Sequence, residues 1–141
     1  MTKIYLAAVA LLVSLTACNG GNDKPLEGTT WKLASMTGIP ETAIEAEADA
    51  FVFELNAADM MVAGRTNCNR FFGHYELKGS ELDFEDMGMT RMACPDMQFE
   101  DVFVKMLDEV DSYKIKGSEL SLLDDKRVIA VFKAVAKTPA Q

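Results

Sequence analysis

The chain has 141 residues, with 14 Lys and Arg against 22 Asp and Glu and a single histidine, for a formal charge of -8. Apolar residues make up 49% and charged residues 26%, the composition of one ordinary globular domain and not of a disordered or fibrous chain. The acidic balance and the absence of a Lys/Arg-rich cluster exclude a phosphate-backbone binder, and one histidine argues against His-based zinc sites and Ser-His-Asp chemistry.

The chain opens Met1-Thr2-Lys3, runs apolar from Ile4 to Val13 and then reads Leu15-Thr16-Ala17-Cys18. A positive start, a short apolar stretch and small residues before a cut site are the pattern of a secretory signal over residues 1–17. Ile4 to Ala17 is too short for a membrane-spanning helix. The ending resembles the bacterial lipobox, whose cysteine is acylated and becomes the first residue, so Cys18 is expected to carry the membrane anchor. Residues 18–25 are polar and Gly-rich and read as a tether. Asn19 does not match the aspartate retention signal of inner-membrane lipoproteins, which points to the outer membrane.

Thr30 to Met36 reads as a first strand with Trp31 and Leu33 on one face, and Glu41 to Ala50 as a loop. Phe51, Phe53 and Leu55 alternate with Val52 and Glu54, the period of a strand, and Asn56 to Asp59 is a turn before a returning strand over Met60 to Arg65. Thr66 to Asn69 has loop chemistry. Tyr75 to Phe84 and Tyr113 to Leu122 match at six of ten positions at an offset of 38 residues, each with Lys-Gly-Ser between two alternating runs. Both read as hairpins whose glycine accepts positive φ. Between them Phe99, Val102, Phe103, Met106, Leu107 and Val110 mark one face of a helix, with Pro95 and Asp96 as its start signal and Glu100, Asp101, Asp108 and Glu109 expected in solvent. Arg127 to Val135 is a last strand, and 137–141 a tail. The expected fold is α+β: a curved antiparallel sheet of seven or eight strands, a half-barrel, around one amphipathic helix.

Leu26-Glu27-Gly28-Thr29-Thr30-Trp31, Cys68-Asn69-Arg70-Phe71-Phe72-Gly73-His74-Tyr75 and Met89-Thr90-Arg91-Met92-Ala93-Cys94-Pro95 resemble the META domain of HslJ-like bacterial lipoproteins, over residues 26–136. The resemblance implies a sheet half-wrapped around a helix and a link to heat-shock response and drug tolerance. It implies no catalytic residues and no cofactor. Its motif residues here are Asn69, Gly73, Thr90, Arg91 and Met92.

With Cys18 acylated, Cys68 and Cys94 remain. In an oxidising compartment they are disulfide candidates, or else two buried free thiols. Met87, Met89 and Met92 near Cys94, with His74 near Cys68, have the ligand softness for Cu(I), but methionines at alternate positions more often fill an irregular core. A Cys68–His74 nucleophile pair competes with the disulfide. Arg91 reads as a structural partner of a carboxylate or of loop carbonyls, Asn67 and Asn69 as turn formers, Gly73 as a strand bend, and Trp31, Phe71, Phe72 and Tyr75 as core. The expected function is non-enzymatic: a lipid-anchored domain in envelope homeostasis or stress tolerance, with the membrane and an envelope protein as partners and no nucleic acid. The alternative is a carrier of a small hydrophobic ligand, an acyl chain or an apolar drug, between sheet and helix.

Overall fold

The computed structural model describes residues 21–137. The expected signal segment, Cys18 and the end of the tail lie outside them. Eight strands follow the order β1 (Thr30–Met36), β2 (Val52–Asn56), β3 (Met61–Arg65), β4 (Arg70–Lys78), β5 (Glu81–Met89), β6 (Ser112–Lys116), β7 (Glu119–Asp124) and β8 (Arg127–Val135). Two helices interrupt them, α1 (Glu41–Glu45) and α2 (Met97–Glu109). Each strand pairs antiparallel with its successor, and β8 returns to β1 from Thr30↔Val135 to Met36↔Ala130. The result is the expected α+β curved sheet, drawn into an irregular ring. The ring is thin at one place: β5 and β6 meet only at Glu81↔Ser112.

Alternation explains the core. Inward positions of successive strands bury Trp31 and Leu33, Phe53 and Leu55, Phe71 and Tyr75, Leu82 and Phe84, Leu120 and Leu122, Ala130 and Phe132. From the open side α2 inserts Phe103, Met106 and Leu107. The Phe103 ring lies 5.4 Å from Phe51, 5.9 Å from Phe71 and 6.2 Å from Phe132, centroid to centroid, in tilted and edge-on geometries favoured by the ring quadrupoles. Both Lys-Gly-Ser turns have their glycine at positive φ, 61° at Gly79 and 63° at Gly117, as the hairpin reading requires.

Three expectations need correction, at residues 41–45, Phe72 and Glu100. Residues 41–45 are helical, not loop. Pro40 sets the entry, Ile44 is buried, and the Lys32 ammonium donates to the carbonyls of Ile44 at 2.8 Å and Glu47 at 2.7 Å, beyond the helix end, and of Ala50. Desolvation holds that ammonium's pKa below the usual lysine value, although Asp49 and Glu47 oppose the shift. Phe72 is half exposed, because in the burial alternation of β4 it falls between inward Phe71 and Gly73. Asp96 stands at the start of α2 as expected, with φ 60° and no side-chain bond to the helix, so it marks the boundary without capping it. Glu100 is buried, and its surroundings organise the site described next.

Candidate functional site

The loop between β3 and β4 folds back on itself. Thr66 N–H donates to Asn69 O at 2.9 Å, and the Thr66 hydroxyl oxygen accepts from the backbone N–H of Cys68 and of Asn69, both at 3.0 Å. This tight turn carries Asn69 into the ring mouth, where the residue is 1% exposed. Its side-chain oxygen accepts from Met92 N–H at 2.7 Å and from the Thr90 hydroxyl at 2.9 Å. Its side-chain nitrogen donates to Met92 O at 3.1 Å and to Glu100 Oε1 at 3.0 Å. A carboxamide has two donors and two acceptor positions, so every one of them is used.

Glu100 comes from the first turns of α2. It accepts from the Thr66 hydroxyl at 2.5 Å and from Asn69 N–H at 2.9 Å, besides the Asn69 amide. Burial alone would push its carboxyl pKa up. The bonds from Thr66 and Asn69 and the nearby charge of Arg91 outweigh that and hold it below the usual carboxylate value. Thus Asn69, Thr90 and Met92 of the motif form one hydrogen-bonded hub around a buried anion. Arg91 is exposed and acts on Glu100 through its field. Gly73 sits at a register break in the β4–β5 ladder, where a Cβ would come within 2.5 Å of Met87 Sδ and 2.8 Å of Glu85 O.

Cys68 and Cys94 form a disulfide with their Cα atoms 5.9 Å apart, tying the segment before α2 to the same turn. The bond removes the thiol that a nucleophile pair with His74 requires. His74 is exposed on β4, 3.8 Å from Asp86, and Met92 is exposed, whereas Met87 and Met89 pack against the core. The soft-ligand set therefore does not converge. Among the described residues no group of three or more His, Cys, Asp or Glu is placed to hold a metal. The hub is legible in part from the motif; Glu100 and Thr66 were not, because polar residues 31 and 34 positions apart carry no local signal of contact.

Beside the hub the ring is open. Leu82 N–H donates to Asp111 O and Tyr113 N–H to Ser80 O, and beyond Leu82 no strand among the described residues pairs with that side of β5. There α2 runs alongside, leaving a groove of about 430 Å³. Phe71, Met87, Met89 and Val104 line it, and Arg91, Asp101, Lys105 and Asp108 surround it. At the other end of the ring Trp31 Nε1–H donates to Leu26 O at 2.9 Å and the Tyr75 hydroxyl donates to Glu27. Burial and that bond raise the Tyr75 pKa well above the ordinary phenol value.

The META domain family model matches residues 24–136. The heat shock protein HslJ of Escherichia coli is 28% identical over 136 residues, covering 90% of this chain and 93% of its own. A protein from Burkholderia xenovorans solved by NMR shares the fold at 24% identity with a TM-score of 0.63, over 79% of this chain and 85% of that one. A crystal structure of a DUF4847 family protein from Bacteroides vulgatus does so at 15% identity and a TM-score of 0.57, over 80% and 96%.

Proposed function

This chain belongs to the META domain family, a family of heat-shock-related proteins, and from that premise we propose an envelope lipoprotein that binds an extended protein segment along β5. Its anchor is acylated Cys18 in the outer membrane, and its role is stress tolerance without catalysis. The name of the Escherichia coli relative supports the stress role, and the lipobox-like Leu15 to Cys18 supports the anchor. The observation that carries the binding mode is the single β5–β6 pair. Among the described residues the edge of β5 facing away from β4 is unpaired after Leu82 and can accept another strand, as in β-strand addition, and the adjoining groove offers apolar positions for alternate side chains. The carrier reading has less support, because Phe103 and its aromatic neighbours fill the space between sheet and helix.

The test is photo-crosslinking in the intact host envelope from a reactive residue at position 105, with position 126 as control. A discrete protein adduct is expected from 105 alone. It should vanish with Val104→Lys and should slow amide exchange over residues 84–89. Equal, diffuse adducts from both positions would overturn the binding mode.

A further inference from the structure

The lysines of this acidic chain are not spread evenly. All four arginines, Arg65, Arg70, Arg91 and Arg127, lie at the end of the ring that carries the hub. Lys116 and Lys133 lie toward the opposite end, with Lys114 beside them on β6, and all three side chains are exposed. On the neighbouring strand Glu119 stands between them, opposite Lys116 on one side and Lys133 on the other. None of these lysines pairs with a carboxylate of a described residue, whereas Arg65 is held by Glu47 and Asp49.

The chain enters the ring at this same face. Lys24 N–H donates to Gly117 O at 2.8 Å, and Asp23 Oδ1 accepts from Gly117 N–H at 2.6 Å, so residues 23 and 24 are fastened to the β6–β7 turn. From Cys18 to the fastened Asp23 the sequence is five residues, which at full extension reaches at most about 18 Å. A domain on so short a leash keeps its β6–β7 turn at the level of the lipid headgroups. There the Debye length of about 8 Å at physiological salt leaves surface charge effective.

We propose that the anchored domain rests on an anionic phospholipid leaflet by the outer face of β6 to β8, with Lys24, Lys114, Lys116 and Lys133 toward the headgroups. Against their four positive charges that face sets Glu119 and Asp23, the latter already bonded to Gly117, while Asp124 at the far end of β7 is paired with Arg127. The β4–β5 side of the same end carries Glu76, Glu81 and Asp83 around Lys78 and is turned away from the leaflet. The β5 groove thereby stays open to a partner. This inference rests on acylation of Cys18.

The test uses the full acylated protein in phosphatidylcholine vesicles with and without phosphatidylglycerol, with each lysine read by amine labelling and mass spectrometry. Labelling of Lys114 and Lys116 is expected to slow about fivefold on the anionic vesicles and to recover in high salt, with Lys105 and Lys126 unchanged. Lys114→Glu with Lys116→Glu should remove the protection at Lys24 and Lys133 while near-UV circular dichroism stays native. Equal labelling on both vesicles by a protein with Cys18 acylated overturns the orientation and leaves the anchor standing. An intact mass without acyl chains overturns the anchor, and this inference with it.

Discussion

Around Asn69 the loop backbone is bound by side chains of its own chain; along the edge of β5 that faces away from β4, beyond Leu82, no strand of the described residues binds the backbone. Both places lie where the regular ladder gives out. At the first, Thr66, Asn69 and Glu100 supply donors and acceptors to the loop backbone, and a disulfide adds a covalent tie. At the second, α2 covers the apolar side chains but offers no strand backbone to β5. The difference teaches that the ring is closed chemically where side chains turn inward on one another, and only sterically where a helix fills a gap. A free edge beside an apolar groove is the arrangement a strand-adding partner needs.

The comparison is broken most severely at the hub. Asn69→Ala removes an amide that satisfies four partners and strips Glu100 of a donor, so a loss of about 3–5 kcal/mol is expected in urea unfolding followed by Trp31 fluorescence. Replacing both Cys68 and Cys94 by Ala opens a loop with a sequence separation of 26 residues. On the chain-entropy model it costs about 3.5 kcal/mol in the same measurement. Acid sharpens the contrast further. The Glu100 carboxyl is held below its ordinary value in the fold, so its stabilisation is complete above about pH 4.3 and disappears as pH falls through the folded value. Glu100→Gln is therefore expected to be less stable than the parent at pH 7, and to lose less of its remaining stability on acidification. At the seam the effect is smallest. Glu81→Ala should change stability by about 0.5 kcal/mol or less. Native-state hydrogen exchange should find those amides of residues 84–89 that point away from β4 among the least protected in the sheet.

The strands were readable because burial on one face imposes a period of two, and β1 and β8 have the boundaries that alternation assigns. The echoed hairpins were readable because positive φ selects glycine at the turn. The helix α2 was readable from its apolar stripe, yet the same stripe put Glu100 on the wrong side. A carboxylate at the edge of an apolar face is bistable in sequence terms: it goes to solvent unless donors await it, and its donors come from a turn formed by Thr66 and Asn69. The helix α1 failed for a related reason. Its five residues are too few to form alone, and Lys32, which gathers carbonyls at and beyond its end, belongs to another element. Phe72 shows the limit of residue type as a guide, since two aromatics in sequence on a strand cannot both face the core. The motif spacing marked Asn69, Thr90 and Met92 as belonging together, but only the geometry separates Asn69, which reads both backbone groups of Met92, from Arg91, which stays in solvent.

The pairing of β1 sets the order in which a ribosome can deliver this fold. β1 pairs with β2 at Trp31 and Lys32, with one more bond from Leu33 N–H to Phe51 O, but it meets β8 along its length from Thr30 to Met36. Its main partner is thus the last strand of the described residues, and the two must find each other across about a hundred residues of chain. Loss of β8 therefore takes from β1 most of its ladder, so that damage to the eighth strand undoes the first.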